Sequence, residues 1–130
     1  MRRTVFHKPF SGYSIDDSDA AREFYTDVLG LDVRELGNGF LHLALDGDTR
    51  VLMYPKDDHE PASFTVLNLP VDDVHAAVAE LGEKGVTFLR YDGSPQDDLG
   101  VMTGQGPDIA WFSDPAGNVL SVIQHQEDDF

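Results

Sequence analysis

The chain repeats itself. At an offset of 56 residues, Asp16-Asp17-Ser18-Asp19-Ala20-Ala21 falls on Asp72-Asp73-Val74-His75-Ala76-Ala77. A short strand-like run stands before each copy, Phe10 to Ile15 and Phe64 to Val71, and a helical segment ending at a glycine follows, at Gly30 and at Gly85. Two copies fill the 130 residues, a length that suits one domain with a self-sufficient core. The expected organisation is a single domain, residues 1–130, made of one module over about 8–56 and a second over about 62–126.

The first helical segment, Ser18 to Leu29, places Ala21, Phe24, Tyr25 and Val28 on one face, with Asp17 positioned to cap its free N–H groups and Gly30 to end it. The second has Asp73 as cap, Val74, Ala77, Val78 and Leu81 as its apolar face, and Gly85 as its stop. Both helices are expected to pack on a sheet. After the first come Leu31 to Leu36, Gly37-Asn38-Gly39, Phe40 to Leu45, Asp46-Gly47-Asp48 and Thr49 to Tyr54, the pattern of three antiparallel strands joined by hairpin turns. After the second, Val86 to Tyr91, Ile109 to Ser113 and Val119 to Gln124 predict three more, so each half reads βαβββ and the fold class is α+β.

Pro55 to Ala62 has the charge and proline content of a linker. Asp92 to Asp108, with four glycines and two prolines, reads as a long surface loop able to act as a lid. Glu127 to Phe130 reads as a frayed acidic tail.

Nine Lys and Arg against 24 Asp and Glu leave a formal net charge of −15. Nucleic acid and anionic membrane surfaces repel such a body, so neither is an expected partner. The absence of Cys excludes disulfides, a thiolate nucleophile and Cys-bound metal. Met1 to Ile15 lacks the apolar run of a signal peptide and nothing approaches ~20 apolar residues, which makes a cytoplasmic location the expectation.

The tandem βαβββ pattern, Phe24-Tyr25 before Leu29-Gly30, and the closing Trp111-Phe112-Ser113-Asp114-Pro115-Ala116-Gly117-Asn118 together resemble the vicinal-oxygen-chelate superfamily of glyoxalases, bleomycin-resistance proteins and dioxygenases. The resemblance spans Phe10 to Gln124 and implies the glyoxalase/bleomycin-resistance fold, in which two modules form a half-open sheet around a central cavity. It also implies a homodimer. In that family the cavity commonly holds a divalent metal, with ligands from the first and last strands of each module.

Here those positions carry poor donors. Seven residues before the capping acids stand Phe10 and Val66, and four residues after the turn glycine Gly117 stands Ser121. The last strand of the first module, within Thr49 to Pro55, offers no His, Asp, Glu or Gln in any register. The expectation is therefore no metal and no cofactor. Alternation along the strands places Phe10, Gly12, Val66, Asn68 and Ser121 on the cavity side, and the resemblance adds Trp111. These six are the candidate ligand-binding residues.

Other chemistry has weaker support. His7, His59, His75 and His125 read as exposed polar residues, and His42, mid-strand between Leu41 and Leu43, lines the cavity if its face turns inward. Adjacent acids such as Asp97-Asp98 point apart and make no acid/base dyad. The preferred function is a metal-free protein of the bleomycin-resistance kind that sequesters a small molecule; the net acidity reads first as a heavily solvated surface, and would help with a cationic drug. The alternatives are a lyase, isomerase or dioxygenase of the same superfamily, for which no catalytic residue is identified, and a dimeric module whose cavity is packed shut.

Overall fold

The computed structural model describes residues 3–127, and the chain divides into two compact units, Met1–His59 and Glu60–Phe130. Of the expected acidic tail, Asp128 to Phe130 lie outside the described residues.

The first unit contains β1 (Ser11–Ile15), α1 (Ser18–Glu23), β2 (Asp32–Gly37), β3 (Phe40–Ala44) and β4 (Arg50–Pro55). Its sheet runs β1-β4-β3-β2, with β1 parallel to β4 and the other pairs antiparallel. Alternation divides the sheet into two faces: Tyr13, Ile15, Leu41, Leu43, Val51 and Met53 are buried, and their neighbours are not. The buried face meets the helical segment, where the Tyr13 and Tyr25 hydroxyls hydrogen-bond at 2.8 Å. A fully buried tyrosine needs such a partner.

Asp17 caps α1 as the sequence predicts, accepting from the Ala20 amide at 3.1 Å. The expected helix Ser18 to Leu29 is not uniform, however. After Glu23 it widens into a π-helical turn, Phe24–Val28, in which Leu29 donates to the Phe24 carbonyl at 3.1 Å, before Gly30 leaves it at φ +70°. Asn38 and Gly39, with φ of 56° and 80°, make the tight β2–β3 connection whose left-handed residues match strand twist.

The second unit contains β5 (Thr65–Val71), α2 (Val74–Glu83), β6 (Ile109–Ser113) and β7 (Val119–Gln124). Its sheet is β5-β7-β6, with β5 parallel to β7 and β6 antiparallel to it. Asp73 caps α2 through the Ala76 amide at 3.1 Å, and Val74 and Val78 are the buried residues of the helix. The expected strand Val86 to Tyr91 does not form. A single bridge, Phe88 to Phe112, and the Leu89 N–H on the Trp111 carbonyl remain of it. Neighbouring backbone groups have other partners: the Gln96 side chain accepts from the Tyr91 N–H at 2.8 Å and donates to the Leu89 carbonyl at 3.0 Å.

The β6–β7 turn is held by Asp114, a buried carboxylate that accepts from the amides of Ala116 at 2.9 Å and Asn118 at 2.8 Å and from the Asn118 side chain at 3.2 Å. The Asp-Pro-Ala-Gly-Asn sequence is thus explained by turn chemistry.

Candidate functional site

Strand register aligns the candidate residues into rows. In the first unit Gly12 lies opposite Leu52, Leu52 opposite His42, and His42 opposite Arg34, a continuous row across all four strands. In the second unit Asn68 lies opposite Ser121, and Ser121 opposite Trp111. Because the repeat equates Gly12 with Asn68, Leu52 stands where Ser121 stands and His42 where Trp111 stands. The register thereby assigns the fourth family metal position, left open by the sequence, to Leu52.

The residues at these positions do not fit a metal. Phe10, Leu52 and Val66 offer no lone pair, and the Ser121 hydroxyl, fully buried, donates to Asn68 Oδ1 at 2.6 Å. Among the described residues no group of three or more His, Asp or Glu side chains converges as a metal-binding cluster.

In the first unit the face opposite the helix carries the candidate pocket. Phe10, just ahead of β1, is 54% exposed, and the Arg50 guanidinium lies 4.6 Å from its ring centroid. Together with Leu36, His42 and Leu52 they enclose a cleft of about 60 Å³. It adjoins an open depression of about 540 Å³ that shares His42 and Arg50 and runs out to Lys8, Asp32, Arg34, Asp46 and Asp48. Arg34 is paired with Asp32 at 3.2 Å. Gly12 contributes close approach rather than a side chain, since a Cβ there would lie 2.8 Å from the Leu52 carbonyl oxygen. On the same face Ser14 Oγ is 2.6 Å from His59 Nδ1.

In the second unit Val66 sits at a β-bulge between Thr65 and Leu67, Asn68 is exposed, and Trp111 is half-buried with its ring edge-on to Tyr91 at 5.4 Å. The loop 92–108 is not free. Asp97 Oδ1 accepts from the amides of Leu99 at 2.9 Å and Val101 at 3.0 Å, Arg90 donates to the carbonyls of Asp97 and Asp98, and Val101 is fully buried. Asp97 Oδ2 also meets His75 Nε2 at 2.7 Å, tying the loop to the first turn of α2. This hydrogen bond raises the His75 pKa above its ordinary value and lowers that of Asp97.

The structure therefore brings Phe10 and Gly12 to one face of the first sheet and Asn68, Ser121 and Trp111 into one row of the second. Leu36, Leu52, Arg34 and Arg50 escaped the sequence reading. Their signal, the period-2 alternation of β2 and β4, was present, but it selects a face only once β1 is known to pair with β4 in parallel.

Solved structures of similar chains agree with this architecture. An antibiotic-binding protein, TnmS3, from Streptomyces sp. CB03234 is 27% identical, covers 96% of this chain and 100% of its own, and superposes with a TM-score of 0.67. A glyoxalase/bleomycin resistance protein from the same organism is 28% identical over 89% of this chain and 100% of its own, with a TM-score of 0.59. A superfamily member from Sphaerobacter thermophilus DSM 20745, 23% identical over 92% of this chain and 98% of its own, shares the fold at a TM-score of 0.70. No curated protein matches the chain. Residues 11–122 match the model of the Glyoxalase/Bleomycin resistance protein/Dioxygenase superfamily, and the chain belongs to that family.

Proposed function

We propose that the protein binds a small organic molecule without a metal, in the manner of the bleomycin-resistance members of its family. The observation that carries this reading is the character of the first sheet's open face. Where a metal-dependent relative needs donors, this chain has Phe10 and Leu52, which instead wall an apolar cleft edged by the polar side chains of His42 and Arg50. The likeness to an antibiotic-binding protein at 27% identity supports the same conclusion. In the second unit Asn68 and Trp111 are the polar and aromatic ligand contacts, and Ser121 acts by orienting the Asn68 amide. Val66 belongs to the same strand at its bulge.

The test is calorimetric titration of chelator-treated protein with a panel of planar aromatic compounds, with emission of Trp111, the single Trp, as a second readout. Binding that survives the chelator is the expected outcome. Binding that appears only on adding a divalent cation, or no binding by any compound, sinks the proposal. We also propose that the chain forms a homodimer within the cytoplasm; no helix among the described residues is long and apolar enough to cross a membrane. Light scattering should give twice the 14.4 kDa chain mass, and 14.4 kDa at every workable concentration would exclude the dimer.

A further inference from the structure

Resting on the reading that the first unit's open face holds an organic ligand, we propose that this ligand is a planar aromatic carboxylate, its ring against Phe10, Leu36 and Leu52 and its acid on Arg50. The apolar residues supply the ring's contact surface and Arg50 the charge. Arg50 stacks on Phe10, and the one hydrogen bond of its side chain among the described residues is a long donation, 3.4 Å, to the Lys8 carbonyl. A guanidinium has five N–H donors in a fork that matches a carboxylate. Among the described residues Arg50 has no carboxylate partner, although the chain has 24 acids, Arg22 has two such partners, and Arg34 and Lys56 have one each. Its donors are therefore available at the wall of the cleft.

His42 supports the same ligand. It lies opposite Leu52, two residue pairs along the strands from the Ala44–Arg50 pair and so on the same face, and the imidazole and the guanidinium both line the cleft. Either ring protonation state gives His42 at least one N–H to offer an acid oxygen. The cleft, about 60 Å³, admits only part of a ring system, and the remainder extends into the depression that shares both residues.

This assignment runs against the cationic drug that the net acidity would help to bind. The −15 of the whole chain suggests a cationic ligand, but remote carboxylates are screened beyond about 8 Å at physiological salt. The acids lining the depression are Asp32, which is paired with Arg34, and Asp46 and Asp48 at its outer end.

Three probes with one ring distinguish the possibilities: 2-naphthoate, 2-naphthamide and 2-naphthylmethylammonium, titrated calorimetrically in about 0.15 M salt. The naphthoate should bind at least about tenfold more tightly than the amide, as a charge-assisted fork predicts, and the ammonium most weakly. Arg50→Met keeps the stacked stem but removes the fork, and should bring the naphthoate down to the amide's affinity while leaving the amide within about threefold. Arg50→Gln provides the same comparison should the Met variant unfold. An amide or ammonium that binds as tightly as the naphthoate, or a naphthoate preference that survives both substitutions, overturns the carboxylate assignment and leaves the binding reading standing. Failure of all three probes overturns both.

Discussion

Gly12 occupies a position where the backbone of β1 runs against that of β4. A Cβ at that position would lie 2.8 Å from the Leu52 carbonyl oxygen and 3.3 Å from the Leu52 Cβ, and neither atom is the free end of a flexible side chain. Gly12→Ala should therefore destabilise the protein by about 1–3 kcal/mol, the usual cost of forcing an extra carbon into packed surroundings. Urea unfolding measures it, and a midpoint equal to the parent's would show that the two strands separate at little cost. The sequence singled out Gly12 by strand parity as a cavity residue, and the register places it opposite Leu52. What parity could not reveal is that the residue is small because Leu52 is close. Leu52 itself was illegible for the same reason, since its role depends on a partner 40 positions earlier in the chain, visible only in the register. Asp17 and Asp73, by contrast, act within three residues of themselves, and their capping role was legible without any structure.

At the scale of the element, local signals fared best where local chemistry decides. The Gly37-Asn38-Gly39 and Asp46-Gly47-Asp48 turns form where their left-handed residues predict. Val86 to Tyr91 had the strand pattern but keeps only the Phe88–Phe112 bridge, and the Gln96 side chain from the following loop takes up the Tyr91 N–H and the Leu89 carbonyl. That loop, in turn, is tethered through His75 and Asp97, and the tether carries a pH signature. The His75 pKa is raised chiefly by the hydrogen bond it donates to Asp97, with further attraction from Asp97, Asp108 and Asp73 opposed by desolvation, so the stability it contributes is full below the unfolded value of about 6.5 and is lost as pH rises through the higher folded value. Asp97 is lowered chiefly by His75, so its contribution is present above about 3.9 and is lost as pH falls through the lower folded value. The tether is therefore strongest between about pH 4 and 6.5 and, with both side chains over a third exposed, should add no more than about 1 kcal/mol. Asp97→Asn keeps an acceptor for Leu99 and Val101 but removes the charge, and should lower the His75 titration midpoint, followed by proton NMR, toward its ordinary value. A His75 midpoint unmoved by that substitution would mean the loop is held without this pair.

The charge of the whole molecule bears on its stability more than on its choice of ligand. With 24 acids against nine Lys and Arg, most carboxylates have no cation to meet; the ion pairs among the described residues engage Asp19, Asp32, Glu35, Asp58 and Asp97. A surface of that kind repels itself in the compact state and is relieved when the chain expands. The range of this repulsion is set by salt, about 30 Å at 0.01 M but about 8 Å at 0.15 M. At low salt the repulsion therefore reaches across an entire unit, and at moderate salt only between near neighbours. Exposed ion pairs lose strength over the same change, but each is worth at most about 1 kcal/mol and they are few beside the unpaired acids. Raising NaCl from about 10 to 150 mM should accordingly raise the thermal midpoint by a few degrees. Tetramethylammonium chloride at equal ionic strength should do the same, because screening depends on ionic strength and not on a specific cation site. A midpoint that falls with salt would show that ion pairs dominate this surface, and a rise produced by sodium but not by tetramethylammonium would point to a bound cation among the acids in place of general screening.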